Sequence, residues 1–502
     1  MATNKKLLLA KTASFFILLA TNTKLMAKAL VGRLQEIKML DHLLTDSAPQ
    51  LVAILGRRRV GKTFLVRTHY SGKMTFECSG TIDGSTASQL ANFSEQLKAY
   101  FKMKLTAPPA NWQQAFVMLE QGLASSLPGD KKILFFDEFP WMDNHRSGFL
   151  SAFSYWWNMH GSQRVNCIVI ICGSAASWMI NRVVNNKGGL HNRITHRIHL
   201  LPFTLAETAA YLQANKVKLT SYQIVQLYMV MGGIPHYLDA VLPGMSVEQV
   251  INPTCFNKNG RLYGEFDNLY AALFSHPEKH IQLVKLLAGK QSGLTRNEIV
   301  TAIKKLTSGG GLTKALDELT ESGFLYRINP YGNKVKDAVY RLADEFTLFY
   351  FRFMAKASEE AKEWNSMLPT NAFAQWSGYA FENVCLKHIN MVKKALGIAA
   401  VYTEQSAWRF KGDAAIKGAQ VDLLIDRADN CINLCEIKFS AAPFLVTKRY
   451  ADELLQKEQS FRLKSKSRKV IFTTLISPFG VVKNEYQLQR IQSTVTMNDL
   501  FG

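Results

Sequence analysis

An α/β multidomain protein built on a parallel sheet is the fold class this sequence predicts, and three observations carry it. After Met26, apolar strand-like runs alternate with helical patterns, as in a parallel sheet with crossover helices. A glycine-bounded loop follows the first of those strands and opens a helix. At 502 residues the chain exceeds what one hydrophobic core supports, so several domains are expected.

Composition narrows the class. Hydrophobic content of 47% with 20% charged residues excludes a disordered chain. The 60 Lys and Arg against 39 Asp and Glu give a formal +21, which favours a polyanionic partner, nucleic acid ahead of an acidic membrane. A diffusely basic soluble enzyme is the plainer alternative. The 7 cysteines include no CxxC pair, and several lie in apolar runs. That excludes a disulfide framework or a zinc site and suits a reducing, cytoplasmic compartment. Lys5 and Lys6 before Leu7–Ala20 imitate a secretory leader, with Ala27-Lys28-Ala29 as a cleavage-like site, but Lys11 interrupts the run. Residues 1–29 are therefore read as an extension, either non-native or a weak anchor. No other segment has the length to span a bilayer.

Each element follows in order. Leu51–Leu55 is a short apolar strand. Trp112–Leu123 has helical periodicity, and Pro128-Gly129-Asp130 turns into a second buried strand, Lys132–Phe136. Asn166–Cys172 is a third strand and Arg197–Leu201 a fourth. Residues 30–204 form the core on this reading. A helical lid at 205–277 is broken at Gly232-Gly233 and Pro235. In 278–346, Ile281–Ala288, Arg296–Ile303 and Leu312–Thr320 read as helices. Phe324–Ile328 and Ala338–Leu342 read as strands around a Pro330-Tyr331-Gly332-Asn333 turn. Three helices and a hairpin predict a winged helix. Its presumed recognition helix, Leu312–Glu321, offers Lys314 but also Asp317, Glu318 and Glu321, so a protein-contacting or lid-like role competes with groove reading. A connector at 347–370 leads to a last unit, 371–502, of helix–strand–strand–strand–helix–strand order.

Gly56-Arg57-Arg58-Arg59-Val60-Gly61-Lys62-Thr63 matches G-x-x-x-x-G-K-[ST] in full, with a strand before it and a helix after. Backbone N–H groups of such a loop curl around a β-phosphate, helped by the helix N-terminus. Lys62 is expected to reach the β/γ oxygens and the Thr63 hydroxyl to ligate Mg²⁺. The second strand ends Phe136-Asp137-Glu138. Asp137 is placed to hold the Mg²⁺ shell and Glu138 to polarise the attacking water as general base. Together they predict a P-loop ATPase binding ATP·Mg²⁺. Gly173-Ser174 ends the third strand, where Ser174 either senses the γ-phosphate or merely forms a turn. Arg193 or Arg197, after Asn185–Gly189, is either an arginine finger for a neighbouring subunit or a surface arginine.

These motifs resemble the archaeal-type P-loop ATPases of the STAND/AAA-related group. Their pattern of Gly-Arg-Arg-Arg-Val-Gly-Lys-Thr, Asp-Glu-Phe, Cys-Gly-Ser and Gly-Gly-x-Pro-x-Tyr-Leu is matched here, the last as Gly232-Gly233-Ile234-Pro235-His236-Tyr237-Leu238. The resemblance implies that Pro235 packs against adenine from the lid, where the plain reading is a helix break. It also implies a winged helix and a C-terminal domain with a restriction-endonuclease-like core, matched at Tyr340–Phe353, Trp376–Glu382 and Gln420–Lys438.

In that last unit Gln420–Asp426 and Ile432–Lys438 read as adjacent strands. Glu436 and Lys438 fall on the face shared with Ile432 and Leu434, and Asp422 supplies the first acid of an Asp…Glu-x-Lys set. Charges on a core-like face are costly unless paired or bound to metal. One reading makes Asp422, Glu436 and Glu382, on a helix expected over Gly378–Asn390, Mg²⁺ ligands of a PD-(D/E)XK nuclease, with Lys438 positioning the nucleophile. The other is a buried Glu–Lys ion pair. The cluster Arg462-Lys464-Lys466-Arg468-Lys469 suits a phosphate backbone. The combined expectation is an ATPase gating a nuclease-like or nucleic-acid-binding domain, with DNA ahead of RNA and self-association through the ATPase domain. The alternative is a nucleotide-dependent switch or scaffold with an inactive C-terminal domain.

Overall fold

The computed structural model describes residues 30–125, 129–144, 146–174, 176–184, 190, 192–274, 276–303, 310–332, 337–355, 364–368, 370–414 and 416–502. The leader-like segment 1–29, the stretch 185–189 and Asn333 of the hairpin turn lie outside them. Among the described residues no helix is long and apolar enough to cross a membrane.

The first sheet holds five parallel strands: β1 (Gln50–Leu55), β2 (Phe76–Ser79), β3 (Lys132–Asp137), β4 (Cys167–Gly173) and β5 (His196–His199), in the order β2-β3-β4-β1-β5. Strands β1, β3 and β4 are buried along their whole length, as expected where helices cover both faces. Their apolar runs made them readable. Strand β2 is not legible from the sequence, because Phe-Glu-Cys-Ser is only four residues and alternates buried with more exposed positions at the sheet edge. The fourth strand is His196–His199 rather than Arg197–Leu201. It closes on β1 with Arg197 exposed.

The lid forms helices Leu205–Ala214, Ser221–Met231 and Pro235–Leu238. The first two start with capping boxes, Thr204 with Glu207 and Thr220 with Gln223. The break at Gly232-Gly233 has a steric cause. Gly233 has φ +69° and its Cα lies so near the Phe203 carbonyl that a Cβ would stand 2.2 Å from that oxygen. The Phe203 N–H donates to the Gly233 carbonyl (2.8 Å), tying the lid's turn to its root.

Helices Pro277–Ala288, Arg296–Ala302 and Gly310–Glu321 follow. They pack with an antiparallel sheet of β6 (Leu294–Thr295), β7 (Leu325–Ile328) and β8 (Val339–Leu342), ordered β6-β8-β7. The turn of this hairpin is docked: the Tyr331 N–H donates to the Ala407 carbonyl (3.1 Å), and its ring meets Phe461 edge-on. Glu318, one of the acids on Gly310–Glu321, is held by His280 at 2.8 Å.

The C-terminal unit opens with helix Asn371–Lys387, longer at its start than the expected Gly378–Asn390. A mixed sheet follows, ordered β13-β12-β11-β10-β9: β9 (Thr403–Phe410), β10 (Ala419–Arg427), β11 (Cys431–Ile437), β12 (Val470–Ile476) and β13 (Ser493–Val495). β9, β10 and β11 are antiparallel neighbours; β11, β12 and β13 run parallel, with helix Lys448–Ser465 crossing from β11 to β12. One apolar core runs from the first sheet through the lid and the three-helix unit to helix Asn371–Lys387. His388 seals part of that junction. Its Nε2 accepts from the Leu205 N–H (2.9 Å), and its Nδ1 meets the Val384 carbonyl at 2.7 Å. Burial lowers its pKa to about 4 from the usual 6.5. The folded state therefore prefers neutral His388, so its contribution is intact above pH ~6.5 and is lost as pH falls toward 4. The full shift corresponds to roughly 3 kcal/mol. Urea unfolding between pH 7 and 4 is expected to show a steeper acid loss in the wild type than in His388→Gln.

Candidate nucleotide site and the C-terminal charge cluster

The glycine-bounded loop joins β1 to helix Lys62–His69. Gly61 caps that helix at φ +93° and Arg59 is also left-handed at φ +72°, which turns the loop's amides inward. Lys62 is buried and donates to the carbonyls of Gly56 (2.8 Å) and Arg57 (3.0 Å). The Thr63 hydroxyl donates to Asp137 Oδ2 at 2.9 Å. Glu138, the next residue, sits in the left-handed region at φ +44°, the kind of backbone strain that accompanies functional positions. Its Oε2 accepts from Ser174 Oγ (2.8 Å) and N–H (3.2 Å).

A cavity of about 550 Å³ opens over the loop, lined by Val31, Lys62, Thr63, Glu138, Pro235 and His236 among others. That volume is in the range of small-molecule sites. Hard oxygen donors at Thr63 and Asp137, beside a loop of inward N–H groups, fit Mg²⁺ and a polyphosphate in residue type. Pro235 faces this cavity from the lid, as does His236, whose pKa is lowered by burial and by Arg59 and Arg261.

Several expected ligands act differently. The Arg57 side chain turns away from the cavity and pairs with Asp344, both essentially buried. Arg59 lines the cavity but is held at 2.8 Å by Glu265, which also accepts from Tyr237 Oη at 2.9 Å. Arg58, half-buried, lines the cavity as well. Ser174 is buried and grips Glu138 rather than lining the cavity. Arg193 is exposed in the turn before β5, its N–H donating to the Leu190 carbonyl. Arg33 was overlooked. It reaches the loop through the Val60 carbonyl (3.1 Å) and stacks on Phe203 (4.6 Å). No motif in isolation flags it, since its role depends on the lid folding back.

In the C-terminal unit Asp422 and Glu436 are brought together. Asp422 Oδ2 accepts from the Ile437 N–H at 3.0 Å. Glu436 is fully buried, and burial, then Asp422, raises its carboxyl against the pull of Lys457 and Lys438. Both its oxygens accept from Lys457 Nζ at 2.7 Å, while Lys438 stands 3.6 Å away and Tyr450 Oη 3.4 Å. Burial depresses the Lys438 charge, but Asp422 and Glu436 outweigh it and raise its pKa. Glu382 does not complete a third ligand: it pairs with Arg341 (2.7 Å) and accepts from Gln291 (2.6 Å). Among the described residues no three His, Cys, Asp or Glu side chains are grouped to hold a metal ion. In this arrangement Lys457 already neutralises Glu436. No motif marks Lys457, which arrives from the crossover helix Lys448–Ser465. The basic cluster is partly self-neutralised as well. Arg462 pairs with Glu458, Lys464 with Asp413 and Lys469 with Asp426, while Lys466 and Arg468 are exposed.

Residues 30–241 match a family described as an ATPase domain predominantly from Archaea, which spans the first sheet and the lid through Val241. An uncharacterized protein of Methanocaldococcus jannaschii is 22% identical over 388 residues, covering 76% of this chain and 82% of its own length. A Walker-type ATPase of Pyrococcus abyssi aligns in structure with TM-score 0.49 and 18% identity, covering 64% of this chain and 96% of its own. The Aeropyrum pernix ORC2 protein, in ADPNP and ADP complexes, aligns with TM-score 0.41 and 14% identity over 64% of this chain and 92% of its own. The stretch from Leu30 to Val241, with its complete phosphate-loop motif and parallel sheet, is thus similar to an archaeal-type ATPase domain.

Proposed function

We propose that this chain binds ATP·Mg²⁺ and hydrolyses it as a nucleotide-dependent switch, its C-terminal unit being the element switched. The observation that supports hydrolysis is the hydrogen-bond relay at the loop: Thr63 to Asp137, and Ser174 to Glu138 beside it. Bound Mg²⁺ would neutralise the β/γ oxygens, with Thr63 and Asp137 as its protein partners. Lys62 would exchange the Gly56 and Arg57 carbonyls for phosphate oxygens. Glu138, on the cavity wall, is the general base that takes a proton from water. Ser174 holds that base to one side until the site is filled. Pro235 and His236 close over the adenine from the lid.

On this reading 278–346 is a winged helix and 371–502 a restriction-endonuclease-like core, supported by the element order and by the mixed sheet. The docked hairpin turn and the Glu436–Lys457 pair favour binding over cutting for those units. A nucleic-acid partner rests on the +21 surplus, with Lys466 and Arg468 as the exposed contacts.

Phosphate release and equilibrium nucleotide binding test the reading together. Glu138→Gln is expected to keep ATP affinity and lose turnover on the order of 100-fold or more, as for loss of a general base. Turnover at the wild-type rate in that variant would remove Glu138 from the role.

A further inference from the structure

The loop that would cradle the phosphates is held from outside the domain that contains it. Arg57, its second residue, buries its guanidinium against Asp344, which lies just past β8, and stacks on Phe324 at 4.8 Å. Asp344 caps the helix Glu345–Phe349, accepting from the Thr347 N–H (2.9 Å) and Oγ1 (2.7 Å). Burial alone would raise its carboxyl, but Arg57, Lys387 and Thr347 outweigh it and hold it below the usual carboxylate range. The neighbouring Glu345 is fully buried, pairs with Lys387 on helix Asn371–Lys387, and abuts Gly232 of the lid. The same helix grips the end of β8: Tyr379 Oη (3.1 Å) and Asn383 Nδ2 (2.9 Å) both donate to the Leu342 carbonyl. One short segment, 342–349, therefore touches the phosphate loop, the lid turn and the first helix of the C-terminal unit.

We propose that Asp344 is a positioning residue for the nucleotide site, acting through Arg57, so that nucleotide binding and the docking of segment 342–349 depend on each other. The route is short. The Arg57 carbonyl is one of the two acceptors of Lys62 Nζ, so the side chain that Asp344 fixes belongs to the residue whose backbone sets where Lys62 rests. Any shift of Lys62 onto a phosphate releases that carbonyl and loads the Arg57–Asp344 pair. Reciprocally, undocking the segment frees Arg57 and leaves the loop one anchor short. Coupling of this kind is mutual by thermodynamic necessity. The two flanking arginines divide the work, Arg57 reporting to segment 342–349 and Arg59 to the lid through Glu265.

The proposal rests on the loop binding ATP, so the full-length wild type is titrated first with ATP and ADP by calorimetry. Wild type that binds neither nucleotide sinks the functional reading itself. With wild type binding, Asp344→Asn is expected to weaken ATP about tenfold and to raise KM more than it lowers kcat. Addition of ATP to wild type is expected to slow hydrogen exchange across residues 342–349, and to do so far less in Asp344→Asn. Arg57→Leu and Asp344→Asn should not add in the double variant, since both remove one link. Should either single variant fail to fold, Arg57→Leu/Asp344→Leu replaces the pair without stranding a charge, and it should fold with the same weakened affinity. A variant of the pair that melts earlier yet binds ATP like wild type overturns the proposal, leaving the pair a structural one. So does exchange at 342–349 that ignores nucleotide.

Discussion

Lys62→Ala is expected to weaken ATP and ADP binding by about 3 kcal/mol, on the order of 100-fold in Kd, the range for truncating one partner of a desolvated charge pair. In the folded chain Lys62 is buried and its ammonium is held over the loop by the Gly56 and Arg57 carbonyls. Among the described residues no other lysine lies on the cavity wall. Removing it leaves the β/γ oxygens facing dipoles from the loop and the arginines on the cavity wall. Stability should change little by comparison, because alanine removes the donor without stranding a charge. A thermal melt within a few degrees of wild type, alongside lost binding in calorimetry, is the expected pattern. Wild-type affinity in this variant would place the nucleotide, if any, somewhere else.

The nucleotide site was largely legible in the sequence, and the reason is local. A phosphate loop is made by consecutive residues, so Gly56–Thr63 carries its geometry in one run, and β3 delivers Asp137 and Glu138 in another. The fully buried strands were equally clear because their apolar runs are continuous. What stayed hidden depends on contacts between distant segments. Arg57 reads as one more loop residue, and only the fold shows its side chain committed to a residue 287 positions away. Ser174 could be placed at the end of β4 but not paired with Glu138. In the C-terminal unit the Asp422 and Glu436 pairing follows from adjacent strands, whereas Lys457 enters across the helix Lys448–Ser465, which carries several equivalent lysines and arginines. Glu382 shows the converse failure. Its place on a helix was foreseen, but its partner Arg341 lies on β8, in another unit.

Lys457→Met separates the two accounts of the C-terminal cluster and is expected to be strongly destabilising. Glu436 is fully buried and relies on Lys457 for contacts to both oxygens, with Lys438 more distant at 3.6 Å. Breaking a buried pair by removing one partner costs about 3–5 kcal/mol, since the remaining charge keeps its desolvation penalty. The pH dependence has a fixed sign. Burial and Asp422 already raise the Glu436 carboxyl, so the folded state holds its proton more readily than the unfolded chain. Stability from this group is therefore present at acid pH and declines as pH rises through the raised folded value. Loss of Lys457 raises that value further, so the penalty of Lys457→Met should be smallest near pH 4 to 5 and grow toward neutrality. Glu436→Gln/Lys457→Met should recover most of the loss, because it removes the charge along with its partner. Denaturant melts of the full chain across that pH range give each quantity. A metal site predicts the opposite response: in Lys457→Met both Glu436 oxygens are freed beside Asp422, and millimolar Mg²⁺ or Mn²⁺ would then restore the melting temperature by mass action. Rescue by the divalent ion, with cleavage of added DNA, would make Lys457 the plug of a nuclease centre. Rescue only by the second substitution leaves the cluster as an ion pair at the heart of a binding domain.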